Sequence, residues 1–398
     1  MFKLKTLKQI NVKNKSVLLR IDINSPVVNG KVLDNPRFKA VFSTIKYLIK
    51  KNAKITILTH QGRKGDKDFT SLKQHAKILS KYVKRKILYI DDLFGNKVRQ
   101  TIMNLKTGQA ILLKNVRYYD DEININNPKN KYKKFCKLFD LYINEAFSVS
   151  HRNHGSIVIP PRYLPSLIGL EFEKEILTIE KFKKEDEKSK LFILAGAKIE
   201  DYIPLFKFLK NKKNKIIAGG VLANLIITVK GYNLGQETIF IKEKYQNIMS
   251  KIRKIYNTYK NQIIIPVDFT LNFYNKQLKV SLDEFPFKYK IYDAGPQTIN
   301  LIKNQINSTR YILMKGTMGF AEFPQFATAT IKILRHIAHL TKHKNLFSII
   351  AGGHLTTTIE EYHIPNNFSH TSTAGGALIK YLSGEKLPGI KALESSTK

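Results

Sequence analysis

The chain has 398 residues, and a hydrophobic share of 43% with 23 Phe and 19 Tyr excludes a disordered protein and suffices for two buried cores. No apolar stretch is long enough to span a bilayer, and the N-terminal residues lack a signal-peptide pattern. The one cysteine, Cys136, excludes an internal disulfide and a thiolate zinc cluster, so we expect a cytoplasmic protein.

Two interpretations of the formal net charge of +37 are open. A basic surface could bind nucleic acid or a membrane, or the charge could reflect a coding bias that also favours Ile and Asn. The lysines are spread along the chain rather than gathered in one motif, which favours the second interpretation. We therefore expect neither a membrane nor a specific nucleic acid as a partner.

Short apolar runs alternate with amphipathic segments along the chain. The runs are continuous rather than alternating in polarity, which is typical of strands buried on both faces. In the first half they cover residues 17–23, 55–60, 87–90, 110–113, 141–147 and 157–159. In the second half they cover residues 191–196, 215–220, 263–269, 291–295, 310–316 and 347–353. This order predicts an α/β fold with parallel sheets and right-handed crossovers.

The two sets of runs predict two doubly wound, Rossmann-like domains joined by a helix, with an active-site cleft between the domains. We expect an N-terminal domain over residues 1–164 and a C-terminal domain over residues 189–383. Between them, residues 165–188 are predicted to form the connecting helix. Pro165 could open this helix, and Gly169 would loosen its first turn.

Polar and glycine clusters follow several of the predicted strands. Asp22 and Asn24 follow the first run, His60 and Gly62 follow the second, Arg117 follows the fourth and Arg152 follows the fifth. Ligands of open α/β sheets bind at this edge. Such residues also end strands for purely structural reasons, but four such loops in one half favour a binding site.

Arginine is scarce, with 11 residues against 57 lysines, and four of the eleven lie in these loops. They are Arg37, Arg63, Arg117 and Arg152. A guanidinium group can hold a phosphate or carboxylate through two parallel hydrogen bonds, which a lysine cannot do. Each arginine alone could form a surface ion pair, but the set predicts a small anionic substrate.

The second half contains no G-x-x-x-x-G-K-[ST] loop, so a phosphate cradle there must be built from separate turns. The candidates are Gly196 with Lys198, Gly219–Gly220, Gly352–Gly353 and Gly375–Gly376. Glycines let backbone N–H groups approach a phosphate closely, and the dipole of a following helix adds to the attraction. His354 and Leu355 begin such a predicted helix.

Strings along nearly the whole chain resemble those of phosphoglycerate kinase. In the first half they are RIDINSPVVNGKVLDNPRFKA, THQGRKG, LLKNVRYYDDE and INEAFSVSHRNHGS. In the second half they include LAGAKIED, IIAGGVLANLI, MKGTMGFAEF and AGGHLTTTIEEY. No single string is decisive, but their common order is specific. The resemblance implies a two-domain kinase that transfers a phosphoryl group between ATP and 3-phosphoglycerate, giving ADP and 1,3-bisphosphoglycerate.

The resemblance also implies roles for individual residues. The acid substrate would be bound by Asp22, Asn24, Arg37, His60, Gly62, Arg63, Arg117 and Arg152. The nucleotide would be bound by Lys198, Gly219, Gly220, Glu322, Gly352, Gly353, His354 and Leu355. Arg37 and Lys198 would be catalytic, because both would contact the transferring phosphoryl group. Magnesium would enter chiefly through the nucleotide, with no metal site on the protein.

Two further expectations come from the resemblance. The C-terminal peptide over residues 384–398 would fold back onto the N-terminal domain, and the protein would be a monomer. The binding partners would then be the acid substrate, its phosphorylated product, ATP and ADP.

Several positions depart from the family pattern. Ala195, Ala351 and Ala374 stand where the family has glycine, which would be obstructive only where φ is positive. Tyr202 replaces a second lysine, and His354 replaces an acidic residue that meets the metal. The last two together resemble the archaeal-type branch of the family.

A further departure is Lys315-Gly316-Thr317, which replaces Asn-Gly-Pro. Because of these departures, a catalytically weakened paralogue stays open as an alternative, and so does a nucleic-acid-binding protein on the same scaffold.

Two smaller features have simpler interpretations. His336, His339 and His343 share one face of a predicted helix, which could bind a metal but is more typical of a solvated face. Cys136, between apolar neighbours, is expected to be a packed core residue rather than a nucleophile.

Overall fold

The computed structural model describes residues 4–185 and 187–396. The described chain divides into two compact units. Unit 1 runs to Thr178 and includes the chain again from Gly384, and unit 2 is Ile179–Ser383. Each unit has its own parallel sheet and its own apolar core.

Unit 1 is built on a parallel sheet. In chain order its strands are β1 (Ser16–Arg20), β2 (Val27–Val28), β3 (Lys31–Val32), β4 (Lys54–Leu58), β5 (Ile87–Ile90), β6 (Ala110–Leu113), β7 (Leu141–Asn144) and β8 (Ser166–Ile168). β2 and β3 form an antiparallel hairpin, and the other six are parallel in the order β5-β6-β4-β1-β7-β8. The central apolar runs are buried on both faces, as their continuity predicts.

Helices connect these strands. They are α1 (Pro36–Lys50), α2 (Lys73–Val83), α3 (Asn96–Met103), α4 (Tyr132–Cys136) and α5 (Gly155–Val158), with 3₁₀ helices at Leu7–Gln9, Val116–Tyr118, Asp120–Glu122, Phe147–Val149 and Pro160–Arg162. α1 begins where the side chain of Asn35 accepts a hydrogen bond from the N–H of Arg37 at 2.9 Å, with Pro36 as its first residue. Arg37 therefore lies in the first turn of α1.

The strand predicted at 157–159 is wrong. These residues are buried, but the N–H groups of Ile157 and Val158 donate to the carbonyl of His154, so they form helix α5. Pro160 and Pro161 follow directly and could not donate to a sheet.

The sixth strand is instead β8, within the segment that was predicted to open the connecting helix. That helix, α6, covers Leu170–Lys184 and not 165–188. The carboxylate of Glu145 fixes its start, since it accepts hydrogen bonds from the N–H groups of Glu171 and Phe172, each at 3.1 Å. Gly169 gives this carboxylate room, because a Cβ there would lie 2.0 Å from Oε2 of Glu145.

Unit 2 contains two sheets. Its strands are β9 (Lys190–Leu194), β10 (Lys215–Ala218), β11 (Ile263–Ile264), β12 (Asp268–Phe273), β13 (Lys276–Ser281), β14 (Ile291–Ala294), β15 (Tyr311–Lys315), β16 (Phe347–Ala351) and β17 (His370–Ser372). The larger sheet is parallel, in the order β11-β10-β9-β15-β16-β17. The smaller one, β13-β12-β14, is antiparallel.

The helices of unit 2 are α7 (Gly220–Val229), α8 (Gln236–Tyr259), α9 (Pro296–Asn307), α10 (Thr328–His343), α11 (Gly353–Glu361) and α12 (Gly376–Leu382), with 3₁₀ helices at Ile199–Lys210, Leu282–Glu284 and Pro324–Phe326. After unit 2, α13 (Pro388–Glu394) belongs to unit 1. There the N–H of Gly389 donates to the carbonyl of Ser150 at 2.8 Å.

Two predictions for unit 2 need correction. The run 263–269 is divided, because Pro266 interrupts it and Asp268 accepts hydrogen bonds from the first turn of α9. The run 291–295 is a strand, but it pairs antiparallel in the small sheet. The sixth strand of the large sheet is β17, which was not predicted. In the described part of the chain, no helix is long and apolar enough to cross a membrane.

We expect Gly316→Ala to destabilise unit 2 far more than Gly231→Ala. Both glycines have positive φ, +83° and +101°, so alanine is strained at either position. A Cβ at Gly316 would also lie 1.9 Å from the carbonyl oxygen of Ala195, whereas none of the described atoms lies within 4 Å at Gly231. Chemical denaturation should show losses of about 3 kcal/mol or more against about 1 kcal/mol. Equal losses would contradict this account.

Candidate active site

In unit 1 the predicted site residues gather at the carboxyl ends of neighbouring parallel strands. Asp22 follows β1, and its carboxylate accepts hydrogen bonds from the guanidinium of Arg37, the hydroxyl of Ser148 and, at 3.0 Å, the N–H of Asn24. Burial alone would raise the pKa of Asp22, but the charge of Arg37 and these hydrogen bonds hold it well below its ordinary value. The carboxylate therefore stays ionised and fixes Arg37.

His60, after β4, is a neutral donor. Nη2 of Arg20 donates to Nδ1 of His60 at 3.1 Å, and arginine has no acceptor, so the proton must lie on Nε2. Nε2 lies 3.9 Å from Oδ1 of Asp22. Burial lowers the pKa of His60 well below its ordinary value; the charge of Asp22 opposes this, and the charges of Arg20, Arg117 and Arg37 lower the pKa further.

Arg20 was not among the predicted site residues. It is 1% exposed, and its Nε donates to the hydroxyl of Ser156 at 2.9 Å. The same hydroxyl donates to the buried carboxylate of Glu122 at 2.8 Å, and Glu122 also accepts from Tyr132 at 3.0 Å. A signal was present, since Arg20 is a charged residue inside a run that was predicted to be buried on both faces.

The loop after β4 is hydrogen-bonded to side chains from neighbouring loops. The N–H of Gly62 donates to Oδ1 of Asn24 at 2.8 Å, and the guanidinium of Arg117 donates to the carbonyl of Gly62. The amide of Asn115 donates to the carbonyl of Gln61 at 2.8 Å. Three loops predicted separately from the sequence are thus hydrogen-bonded to one another.

Positive charge exceeds negative charge in this part of unit 1. Burial, followed by repulsion from Arg152, lowers the pKa of Arg117 to about 10. Burial and then repulsion from Arg63 lower the pKa of Arg152, whose Nε is buried without a hydrogen-bond partner in the described chain. Arg63 itself is exposed. An anion is the ligand that this arrangement would stabilise.

In unit 2 the glycine turns also follow strands of the parallel sheet. Gly196 follows β9, Gly219 and Gly220 follow β10, and Gly352 with Gly353 follow β16. At Gly352 and Gly353 the position of a Cβ has no heavy atom within 4 Å among the described residues, so the start of α11 is open.

The other predicted nucleotide residues differ in exposure. Lys198, Glu322 and His354 have exposed side chains, and Lys198 directly precedes the 3₁₀ helix Ile199–Lys210. Leu355 is fully buried in the core of unit 2, so only its backbone could meet a ligand.

The three alanines that replace family glycines are not obstructive. None of Ala195, Ala351 and Ala374 has positive φ, and each is at most 1% exposed. Tyr202, the replacement for a lysine, is also buried, and its hydroxyl donates to the carbonyl of Ala195. These departures from the family strings therefore fit the backbone that the chain adopts.

The structure also gives the surroundings of two smaller features. Nε2 of His336 bonds to the side chain of Asn307 at 2.8 Å, and within the described ranges the three helix histidines do not come together as metal ligands. Cys136 is buried, and burial raises the pKa of its thiol to about 12.

Comparison with known proteins decides the family. The family model described as phosphoglycerate kinase matches residues 7–385. The phosphoglycerate kinase of Methanothermus fervidus is 37% identical over 409 residues, which cover 100% of this chain and 98% of the relative. The chain belongs to the phosphoglycerate kinase family. The phosphoglycerate kinase of Archaeoglobus fulgidus is 36% identical over 98% of this chain and 96% of its own.

Solved phosphoglycerate kinases share the fold. The crystal structure from Pyrococcus horikoshii superposes with a TM-score of 0.93 at 32% identity, covering 99% of both chains. The structure from Coxiella burnetii gives 0.79 at 26% identity, covering 99% of this chain and 100% of the other. The predicted fold class and the archaeal-type resemblance are confirmed. Membership makes the chain a kinase, a phosphotransferase with a carboxyl acceptor, and nothing in these likenesses supports a nucleic-acid-binding role.

We expect His60 to remain the neutral Nε2–H tautomer from about pH 6 to 8. Long-range proton–nitrogen NMR would detect an Nδ1–H tautomer, which would contradict the hydrogen bond from Arg20. Because the folded pKa is depressed, the contribution of His60 to stability is present above its ordinary pKa of 6.5 and lost as pH falls. Arg20→Met removes both the charge and the donor, so it should raise the pKa of His60 and release the tautomer, whereas Arg99→Met, at an exposed position of α3, should change neither.

Proposed function

We propose that this chain catalyses reversible phosphoryl transfer between ATP and 3-phosphoglycerate, giving ADP and 1,3-bisphosphoglycerate. The observation that carries the proposal is the set of crowded arginines around neutral His60, whose positive charge exceeds the negative charge of Asp22. A substrate with a phosphate and a carboxylate supplies further negative charge. The family membership supports the same substrate pair.

In unit 1, the phosphate of the acid substrate would be held by Arg63, Arg117 and Arg152. Nε2–H of His60 would donate a further hydrogen bond to the substrate without adding a positive charge to the site. Asn24 and the N–H groups around Gly62 would form the polar wall of the same pocket. The domain of 3-phosphoglycerate binding is accordingly proposed as residues 1–164 with the peptide 384–398.

Asp22 has a second role in this proposal besides contacting the substrate hydroxyl. Its ion pair with Arg37 holds the guanidinium at the first turn of α1 before the substrate arrives. A preorganised donor stabilises the spread charge of a transferring phosphoryl group without reorganising at the moment of reaction. Arg37 is thus proposed as the catalytic residue of unit 1.

In unit 2, proposed as the nucleotide domain over residues 189–383, the phosphates would meet Lys198 and the backbone N–H groups that follow Gly219, Gly220, Gly352 and Gly353. His354 and Leu355 would contribute through the backbone of the first turn of α11. Glu322, which is exposed, would accept hydrogen bonds from the ribose. Lys198 is proposed to contact the transferring group.

Magnesium is proposed as part of the nucleotide substrate. Within the described residues, no group of three carboxylate or histidine ligands comes together at these turns, and the position next to Gly353 carries a histidine. Mg²⁺ commonly keeps several waters and binds through nucleotide phosphates. The remaining proposals are that the enzyme is a cytoplasmic monomer and that the transfer is direct, with no covalent intermediate on the protein.

A coupled assay that follows ATP-dependent formation of 1,3-bisphosphoglycerate tests this function. Turnover that requires both 3-phosphoglycerate and magnesium-ATP is the expected result. Binding of both substrates without turnover would identify a weakened paralogue instead.

We expect Arg37→Lys to lower kcat by on the order of 10²-fold with little change in KM for 3-phosphoglycerate. Lysine keeps the charge but loses the two-pronged geometry. The matched control is Arg99→Lys, the same substitution at an exposed position of unit 1, which should leave both constants unchanged. A kcat within a few-fold of the parent would remove Arg37 from the catalytic step.

We expect sulfate to raise the apparent KM for 3-phosphoglycerate at least a few-fold, because it competes for the arginine pocket. Chloride at equal ionic strength measures the screening component alone. A KM that responds equally to the two salts would argue against a pocket that binds a tetrahedral dianion.

A further inference from the structure

Lys315 is a buried lysine at the carboxyl end of a central strand of unit 2. It is the last residue of β15 and is 6% exposed. Its register partners are Leu194 on β9 and Ala351 on β16. The chain leaves those strands through the turns at Gly196 and Gly352. Lys315 therefore lies between two of the candidate phosphate-binding turns.

Three groups surround its ammonium end. Nζ lies 3.3 Å from Oδ2 of Asp201 and 4.5 Å from the ring centroid of Tyr202. Cε lies 3.5 Å from the position that a Cβ would take on Gly375. Burial lowers the pKa of Lys315, Asp201 opposes this, and the charge of Lys198 lowers it further. Lys198, Lys315 and the glycine turn at Gly375 thus lie near one another.

The charges of this cluster do not balance. Asp201 is the one carboxylate that forms an ion pair with Lys315 in the described chain, and its side chain is 31% exposed, against 8% for the lysine. A buried cation is usually held by a partner that is itself buried and fully hydrogen-bonded. A solvated carboxylate is a weaker partner, one that an incoming anion can share or displace.

Space for such an anion lies beside the cluster. Gly352 and Gly353 have no described heavy atom within 4 Å of a Cβ position, and at Gly375 the one neighbour is Lys315 itself. The hydroxyl of Tyr202 donates to the carbonyl of Ala195, which holds the ring in place under the ammonium group.

We propose that Lys315 binds the phosphates beyond the α-phosphate of ADP or ATP, and that Asp201 holds its ammonium group when no nucleotide is bound. The inference rests on the proposed function, because it adds a residue to the same nucleotide site. An ammonium group has three N–H donors, so it can contact a phosphate oxygen and keep one donor on Asp201. The proposed contact is non-covalent, so no bond is formed or broken and no proton is transferred when the nucleotide binds.

Calorimetric titration of the full chain with ADP and with AMP, each in magnesium, tests the proposal. Lys315→Met should weaken ADP binding about 10- to 100-fold and change AMP binding less than about twofold. The matched control is Lys215→Met. Lys215 is the first residue of β10, at the amino end of a strand in the same sheet, and its Nζ donates to Oε1 of Gln305 at 2.8 Å. This substitution should change neither affinity.

Asp201→Asn provides a second test with the opposite sign. It removes the competing carboxylate, so ADP should bind a few-fold more tightly while AMP binding stays unchanged. Thermal unfolding of each variant separates loss of fold from loss of contact.

Equal losses for ADP and AMP in Lys315→Met, or no loss for either, would overturn the proposal and leave Lys315 a structural residue. A parent chain that binds no ADP would contradict the proposed function as well. If the parent chain turns over normally and Lys315→Met binds ADP as tightly as the parent, the result would contradict the further inference and leave the proposed function intact.

Discussion

One buried carboxylate, that of Asp22, organises the cations of unit 1. It accepts hydrogen bonds from Arg37, Ser148 and the backbone of Asn24, which compensate for the cost of burying its charge. The same pairing orients Arg37. His60 stays neutral chiefly because it is buried, and the charges of Arg20, Arg117 and Arg37 act in the same direction against the opposing effect of this carboxylate on its pKa. Like charges thus lie near one another in this part of unit 1 and lower the pKa values of Arg117 and Arg152. In the proposed function an anionic substrate would relieve that repulsion, so the same arrangement would account for its affinity.

The fold followed from the sequence wherever burial on both faces left a continuous apolar run. The sequence did not predict the fold correctly where a buried apolar segment could form either a strand or a helix and its backbone hydrogen bonds decided between them. Residues 157–159 are as apolar as a strand, yet they close a helical turn on His154. β17 has only three residues, His370–Ser372, and all three side chains are polar, so no apolar pattern predicts it. Pairing with β16 in three dimensions makes it a strand.

The site could be predicted as far as residue type and loop position carry information. Arginines in loops at strand ends suggested an anion-binding site; in the structure Nε2 of His60 lies 3.9 Å from Oδ1 of Asp22, and the charge of Arg117 lowers the pKa of His60. Arg20 was not predicted as a site residue, because a strand pattern assigns a residue to the core from its place in the apolar run alone. Its hydrogen bond joins it to His60, 40 residues away in the chain, and only the fold brings the two together. Lys315 was not predicted as a site residue for the same reason. Tertiary neighbours, and not local sequence, distinguish a functional buried charge from a structural one.

Position-by-position comparison also overstates what the chain has lost in unit 2. Tyr202 counts as a missing lysine when the strings are aligned, but its ring lies 4.5 Å from the ammonium group of Lys315, which another strand supplies. A positive charge is therefore retained next to Ala195 and the turn at Gly196, although it reaches that place from a different part of the chain. Electrostatic stabilisation of a phosphate depends on where the charge lies, not on which residue number carries it. A buried aromatic ring also gives that charge a favourable surface, so the tyrosine and the lysine work as a pair.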